Sequence, residues 1–190
     1  MIGLLGGSFD PVHNGHLIVG QVAAEALGLD HLRFVPAREQ PFKRGRHGAS
    51  VEDRAAMLAL ALADLPAMSV EPIELFRAGP SYTVDTLRQL RAREPGVEFT
   101  LLLGADAAAD LPAWHEAAEI PRLARIVVFA RPGTAVPALP AISETVSVPA
   151  LDISATGIRQ RVREGRSIRH WVPDAVAGYI VAHHLYLDPE

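Results

Sequence analysis

GGSFDPVHNGH, the stretch from Gly6 to His16, lies between a short apolar run, Ile2 to Leu5, and an apolar-periodic segment that begins at Leu17. This order predicts a strand, a tight loop and a helix that extends from Leu17 to Leu27. The glycines leave backbone amides uncovered at the turn, and the helix directs its unpaired N–H groups and the positive end of its dipole toward the same place. We therefore expect a phosphate site at this loop.

Two histidines, His13 and His16, lie three residues apart where this helix begins. If the helix includes His13, both imidazoles project from one face toward the turn, where they would be the cationic partners of a phosphate. No Lys-Ser/Thr pair follows the glycines, which excludes a Walker loop, and the spacing also differs from the dinucleotide-binding fingerprint. Two other interpretations stay open. The histidines are polar capping or loop residues, or they belong to a zinc site whose third ligand no spacing announces.

Short apolar runs alternate with helical segments along the rest of the chain. Predicted strands lie near residues 2, 32, 70, 99, 126 and 147. The alternation predicts an α/β fold with a doubly wound, mainly parallel sheet in a single domain, residues 1–190. Three of the individual predictions are a strand from Met68 to Leu75, a strand from Val146 to Leu151 and a helix that Ser81 caps and that ends at Arg91.

Composition limits the class of protein. The 18 Lys and Arg residues against 22 Asp and Glu residues give a formal charge of −4, so no global basic field favours nucleic acid and any anion site must be local. The sequence has no cysteine, no basic N-terminal region of a signal peptide and no apolar run of about 18 residues. We expect a cytoplasmic protein without a membrane span. A homo-oligomer is left open.

Further candidate site residues follow two predicted strands. Gly104 and Asp106 come directly after the apolar run from Phe99 to Leu103, and small residues at that edge of a parallel sheet let a ligand come close. Asp106 would hydrogen-bond a ribose hydroxyl or lie near a metal through water, and a helix cap is the alternative. Arg131 follows the predicted strand from Ile126 to Ala130 in the same way.

A second helix N-terminus is predicted late in the chain. Ser154 or Thr156 can cap a helix from about Gly157 to Glu164. Arg159 lies in its first turn, where a cation opposes the helix dipole unless an anion is bound nearby, so its position favours a functional interpretation. Lys43 belongs to a loop rich in cations and would close over bound phosphates, although a solvated loop is the alternative.

Four motifs stand in order along nearly the whole chain: GSFDPVHNGH from Gly7, GPSYTVDTL from Gly79, GAD from Gly104 with LPAWH from Leu111, and ISATGIR from Ile153. The first resembles the (H/T)xGH signature with which nucleotidyltransferases bind triphosphate. Together the four resemble the motifs of the bacterial nicotinate-nucleotide adenylyltransferase family. The family pattern usually has Pro-Pro-His-Lys at the loop and Ile-Ser-Ser-Thr in the last motif. This chain departs from it at Gln40, Phe42 and Ala155.

The resemblance implies a role for each matching residue. The catalytic residues would be His13, His16, Lys43 and Arg159. The residues that bind ATP would be Gly6, Gly7, Ser8, Phe9, Gly15, Gly104, Asp106, Arg131, Ser154 and Thr156. The residues that bind the acceptor would be Tyr82, Thr83, Trp114 and His115, and for the two large aromatic residues packing in the core is the alternative. No protein ligand to a metal is implied, so Mg²⁺ would be held chiefly by the nucleotide.

The activity that the resemblance implies is adenylyl transfer from ATP to nicotinate mononucleotide, with release of pyrophosphate, in a domain of Rossmann-like nucleotidyltransferase topology. Such a transfer needs positioning and charge stabilisation more than a covalent nucleophile. Two alternatives remain. A pantetheine-phosphate adenylyltransferase shares the first loop and the final Ser/Thr motif, and a nucleotide-binding regulatory module would bind ATP without catalysis.

Overall fold

A single parallel sheet organises the chain. The computed structural model describes residues 1–38 and 48–187. The six strands are β1 (Ile2–Gly7), β2 (His31–Pro36), β3 (Met68–Val70), β4 (Phe99–Gly104), β5 (Arg125–Ala130) and β6 (Ile142–Ser147). They lie in the order β3-β2-β1-β4-β5-β6, and every neighbouring pair is parallel. The prediction of a doubly wound parallel sheet is confirmed.

Helices cover both faces of this sheet. They are α1 (Asn14–Leu27), α2 (Val51–Leu62), α3 (Thr83–Arg93), α4 (Ala105–Asp110), α5 (Ile120–Leu123), α6 (Ala155–Arg163) and α7 (Asp174–Ala182). Adjacent strand residues point to opposite faces, so Leu5 packs in one apolar cluster with α1, α2, α6 and α7, whereas Leu4 packs in the other with α3, α4 and α5. The two buried clusters explain why the central strands are apolar without alternation.

The strand order reverses at β1, and this reversal creates a crevice between β1 and β4. The chain first builds outward from β1 through β2 to β3, and α3 then returns it over the opposite face to β4, which pairs with the other side of β1. Connections on either side of this point lead away in opposite directions, so the carboxyl ends of β1 and β4 stay uncovered. The glycine turn after β1 lies at this edge.

Two predicted strands were wrong in their boundaries for local reasons. The strand predicted from Met68 to Leu75 ends at Val70, because Pro72 opens a 3₁₀ turn over Pro72–Glu74 that removes a ladder donor. The last strand lies earlier than the predicted Val146 to Leu151, because an edge strand is buried on one side only and its first half is largely exposed and polar.

The first helix also begins earlier than Leu17. Asn14 is its first residue, and its backbone N–H donates to the carbonyl of Trp171 at 2.9 Å, while its side chain donates to the carbonyl of His170 at 2.8 Å. Gly28 ends the helix in the left-handed conformation with φ 59°, as a glycine at that position predicts. None of the helices in the described part of the chain has the length and apolar character that a membrane span requires.

Ion pairs hold Glu71, the first residue after β3, in place. Glu71 is buried, accepts hydrogen bonds from Arg93 and forms an ion pair with Arg33, and Arg33 also holds Glu94 through two bonds of 2.6 and 2.7 Å. Arg93 and Glu94 belong to the C-terminal end of α3, so the network ties the first residue after β3 to the far end of that helix. Arg93 keeps 47% of its side chain exposed, so solvent screens part of the attraction.

Replacing Glu71 with Gln tests this network. The variant removes one of the two carboxylate partners of Arg33 and of Arg93, which both keep Glu94, so we expect a loss of about 1–3 kcal/mol in the free energy of unfolding, less than for a fully buried pair. The matched control is Glu116→Gln, which breaks the exposed pair with Arg88 and should cost less than about 1 kcal/mol. Urea denaturation of both variants gives the comparison, and equal losses would contradict the structural role of Glu71.

Candidate active site

A cavity of about 740 Å³ opens at the carboxyl ends of β1, β4 and β5. Gly6 and Gly7 of β1, Gly104 of β4 and Phe129 of β5 form its floor. A side chain added at Gly6 would meet no atom within 4 Å, so this glycine leaves open space above the strand end. The cavity therefore lies where the sheet topology leaves the strand ends uncovered.

Eight predicted site residues line this one cavity. They are Gly6, Gly7, Tyr82, Thr83, Gly104, Asp106, Trp114 and His115. Asp106 lies exposed in the first turn of α4, beyond Gly104. The cavity thus brings together residues that the sequence separates by more than a hundred positions.

The side of the cavity that holds the residues predicted to bind an acceptor is built from aromatic rings and a helix N-terminus. Tyr82 is the N-cap residue of α3 and Thr83 is its first residue, so the unpaired amides of the first turn open beside the cavity. The ring of Tyr82 lies 4.4 Å from that of His115, measured between centroids. Trp114 is partly buried against the core, so it both packs and presents a surface to the cavity.

Ser81 does not cap α3, contrary to the prediction. Its hydroxyl accepts the backbone N–H of Arg38 at 3.1 Å and also bonds the buried carboxyl group of Glu74, which a second hydroxyl, that of Thr86, approaches at 2.7 Å. Glu74 lines the cavity, and burial raises its pKa against the opposing effects of these hydroxyls and of Arg77. Glu74 was not predicted as a site residue because the predicted strand would have placed it in a ladder.

The two histidines form a stacked pair at the start of α1. His13 is the N-cap residue, and its ring lies 3.6 Å from that of His16 at an interplanar angle of 21°. The backbone N–H of His13 donates to Nδ1 of His16 at 3.2 Å. A neutral imidazole carries one proton, so in His16 that proton is on Nε2, which is free to donate to an anion.

Both histidines are neutral at pH 7, so the prediction of cationic histidines was wrong for the free protein. Burial, with the charge of Arg131 adding to it, lowers the pKa of His13 to about 4. Burial also lowers the pKa of His16 well below 6.5, and His13 contributes to the shift. Nδ1 of His13 is buried and has no hydrogen-bond partner among the described residues. A neutral imidazole still donates one hydrogen bond to an anion.

Glycines allow the rings to lie this close to the backbone. A Cβ atom at Gly15 would lie 3.0 Å from Nδ1 of His13, and one at Gly7 would lie 2.9 Å from the ring of Phe9. Phe9 has a φ of 48° and its side chain is buried against Phe34 and beside His16, so only its backbone faces a ligand. Its predicted place in the ATP site therefore concerns main-chain atoms.

The predicted second helix N-terminus lies next to the first. Ser154 caps α6 by accepting the N–H of Gly157 at 3.1 Å, and Ile153 lies 3.6 Å from where a Cβ of Gly15 would stand. Thr156 is exposed in the first turn. Arg159 is buried rather than solvated, and its Nη1 donates to the carbonyl of Asp10 at 2.8 Å. Its charge thus lies directly beneath the loop that follows β1.

Arg54 holds the same loop from another side. Its side chain is fully buried and donates to the carbonyls of Ser8 at 2.7 Å, Ala37 at 2.8 Å and Arg38 at 3.1 Å. Sequence reasoning missed this residue because α2 reads as a structural helix. The available signal was its spacing, since Arg54 lies three and four residues before Met57 and Leu58 on the apolar face of the helix.

The chain matches a known family over most of its length. The cytidylyltransferase-like family model matches residues 4–161. A relative from Roseiflexus sp. (strain RS-1), named "probable nicotinate-nucleotide adenylyltransferase", is 51% identical over 97% of this chain and 97% of its own. One of the same name from Thermus thermophilus is 46% identical over 97% and 98%. The chain belongs to the nicotinate-nucleotide adenylyltransferase family.

Solved structures share the fold of this member of the nicotinate-nucleotide adenylyltransferase family. The Plasmodium falciparum nicotinic acid mononucleotide adenylyltransferase complexed with NaAD has a TM-score of 0.81 at 19% identity, covering 97% of this chain and 96% of that one. The same enzyme complexed with APC has a TM-score of 0.79 at 18% identity, with the same coverage. At this identity the likeness concerns the architecture.

Two of the predictions about how this family member holds phosphates concern the cation-rich loop and a metal ion. Lys43, with the departures at Gln40 and Phe42, lies outside the described residues. Within residues 1–38 and 48–187, no three His, Asp or Glu side chains converge to hold a metal ion.

The buried neutral state of His13 predicts a pH dependence of stability. Its pKa is lower in the folded protein than in the unfolded chain, so its contribution is complete above about pH 6.5 and is lost as the pH falls toward 4. We expect His13→Asn to be less destabilised than the wild type on going from pH 7 to pH 5, by about 2 kcal/mol.

Urea denaturation at several pH values gives this difference, which includes the effect of His13 on the titration of His16, while the titrating groups away from this pair are common to both proteins. Identical slopes of stability against pH in the two proteins would show that His13 titrates normally.

Proposed function

We propose that the chain transfers the adenylyl group of ATP to nicotinate mononucleotide, which yields nicotinate adenine dinucleotide, the deamido precursor of NAD, and pyrophosphate. A phosphate oxygen of the mononucleotide bonds to the α-phosphorus of ATP, and the bond from that phosphorus to the oxygen that bridges to the β-phosphorus breaks. The names of the relatives support this reaction, as do the two solved structures of similar fold with NaAD and APC.

The observation that carries the proposal is the union of two unlike subsites at one strand end. The start of α1 brings the stacked histidines beside the N-terminus of α6, while Gly6 and Gly7 continue into the cavity that Tyr82, Thr83 and Trp114 border. A reaction that joins two nucleotides needs both substrates side by side with the reacting phosphorus between them.

On the ATP side, neutral hydrogen-bond donors and fixed cations have different tasks. Nε2 of His16 donates to a phosphate oxygen, and its contribution increases as charge develops on the leaving pyrophosphate. Arg159, and Lys43 if it reaches the site, offset the charge of the β- and γ-phosphates, as does Arg131 near His13. Ser154, Thr156 and the amides of α6 add donors from a second helix N-terminus.

On the acceptor side, the pyridine ring stacks on Trp114 and its carboxylate accepts hydrogen bonds from the first turn of α3 at Thr83. Stacking serves an acid and an amide equally, whereas the helix N-terminus favours the negative group. Glu74 lies in the same wall, and its bonds to two hydroxyl groups and the charge of Arg77 reduce its repulsion of a bound carboxylate.

Magnesium enters this proposal as part of the MgATP substrate. Mg²⁺ binds readily through phosphate oxygens and water, and it neutralises the charge that accumulates on pyrophosphate. The expected cytoplasmic location and the absence of a nucleic-acid partner stay predictions from the sequence, and a homo-oligomer stays open.

The substrate experiment measures pyrophosphate release from MgATP with a panel of acceptor phosphates. We expect turnover with nicotinate mononucleotide and at least about a tenfold lower kcat/KM with nicotinamide mononucleotide, since each 1.4 kcal/mol of discrimination corresponds to that factor. Efficient use of 4′-phosphopantetheine instead would identify the pantetheine-phosphate alternative. ATP binding without turnover on any acceptor would support the regulatory module, and equal use of acid and amide would contradict the proposed recognition by α3.

His16→Ala tests the triphosphate side. Loss of the Nε2 donor should lower kcat by roughly 100-fold to 1,000-fold, as for the loss of one oxyanion donor, while acceptor binding changes little. His183→Ala is the control, because this exposed histidine stacks on Tyr179 of α7 and does not line the cavity. A His16→Ala enzyme that keeps more than half of its turnover would remove His16 from the mechanism.

A further inference from the structure

A buried cluster lies behind the turn that follows β1, and only one of its members, Arg159, has a role in the proposed reaction. It consists of Asp10, Arg54, Arg159 and Tyr186, and none of the four lines the acceptor cavity. Buried charged groups require partners, and here two guanidinium groups and one carboxylate lie together with a phenol. The phenol comes from the far end of the chain, 176 residues from Asp10.

Tyr186 forms a hydrogen bond with Asp10 of the loop after β1. Its Oη donates to Oδ1 of Asp10 at 2.8 Å, and burial beside that carboxylate raises the pKa of Tyr186, so the phenol keeps its proton. The same carboxylate accepts the backbone N–H groups of Gly48 at 2.8 Å and of Ala49 at 3.2 Å. One carboxylate therefore joins the loop after β1, the segment before α2 and the C-terminal segment.

Packing joins Tyr186 to Arg159 as well. A Cβ atom at Gly48 would lie 2.9 Å from Cδ1 of Tyr186 and 3.1 Å from Cδ of Arg159, so the glycine backbone lies tightly between the two side chains. Arg159 in turn donates to the carbonyl of Asp10. A shift of the tyrosine ring would therefore be transmitted to Arg159 both through the Gly48 backbone and through Asp10.

Backbone strain lies at both ends of this connection. Tyr186 has a φ of 65° and Phe9, the residue before Asp10, has a φ of 48°. Bulky residues rarely adopt this left-handed conformation, and it persists only where surrounding interactions impose it. The hydrogen bond between Tyr186 and Asp10 connects the two strained positions.

We propose that Tyr186 is a positioning residue of the ATP site, which through Asp10 and Gly48 holds the loop after β1 and the guanidinium of Arg159 in the geometry that receives the triphosphate. The inference rests on the proposed function for its kinetic readout. Tyr186 contacts no substrate. It acts by preorganising groups that do, so its loss should weaken the use of ATP and leave the acceptor side, built from α3 and Trp114, unaffected.

Tyr186→Phe removes the hydroxyl group and keeps the ring on Gly48. We expect the KM for MgATP to rise about fivefold or more, as for the loss of a hydrogen bond to a charged group, while the KM for nicotinate mononucleotide stays within about twofold. Steady-state pyrophosphate release with each substrate varied in turn gives both constants. A rise of both KM values by the same factor, or no rise in either, would overturn the inference.

The matched control is Tyr179→Phe. Tyr179 also donates its hydroxyl to a carboxylate, that of Asp53 at 2.9 Å, but this partly buried pair joins α7 to α2 and includes no residue of the loop after β1. The control should reproduce a small loss of thermal stability without the selective effect on MgATP. If it raised the KM for MgATP as much as Tyr186→Phe does, the effect would belong to the C-terminal helix in general and the inference would be wrong.

Calorimetric titration with a non-hydrolysable ATP analogue separates this inference from the proposed function. If the wild type binds the analogue but turns over no acceptor, the proposed function fails, and weaker binding by Tyr186→Phe than by Tyr179→Phe still supports the positioning role. Should Tyr186→Phe not fold, Gly48→Ala disturbs the same connection through packing, because its methyl group would press on Tyr186 and Arg159 while every charged group keeps its partners, and it is measured in the same way. Unchanged analogue affinity in the folded variant overturns the inference.

Discussion

The buried contacts beneath the loop after β1 are the constraint on which the site depends. A parallel strand end beside a topological switch leaves backbone uncovered, and an uncovered loop with left-handed residues would not keep one conformation without support. Arg54 supplies three hydrogen bonds to carbonyl groups, and Arg159 and Asp10 hold the turn between them. The charges compensate one another in part, since the Asp10 carboxylate acts on the guanidinium of Arg54, and Asp10 and both arginines act on Tyr186 with opposite sign. Removing one member would leave a buried charge without its partner, which is far costlier than the pair itself is favourable.

Above this support, a neutral histidine pair still offers a hydrogen-bond donor to an anion. Two imidazolium rings 3.6 Å apart would repel each other, and burial already disfavours either charge. A neutral ring that accepts an amide at Nδ1 must direct its proton outward from Nε2, so His16 is oriented before any ligand arrives. The permanent positive charge then comes from arginines and from helix N-termini, which do not titrate near neutral pH.

The sequence predicted the fold class, the six strands and eight of the residues that line the crevice, because those features depend on local periodicity and on motifs. It missed contacts made between distant segments. Ser81 looked like a cap, but the structure uses its hydroxyl for Arg38 and Glu74. Tyr186 carried no motif, and only the folded chain brings it to Asp10. The charge state of the histidines was wrong for the same reason, since burial and Arg131 are properties of the fold.

In the proposed function, one crevice has a triphosphate side at α1 and α6 and an acceptor side at α3 and Trp114. The most direct test is a crystal structure of the protein with a non-hydrolysable ATP analogue and nicotinate mononucleotide bound together. We predict a phosphate oxygen within about 3.2 Å of Nε2 of His16 and the pyridine ring stacked on Trp114. A triphosphate in the cavity beside Trp114, with the histidine pair contacting no phosphate, would contradict this division.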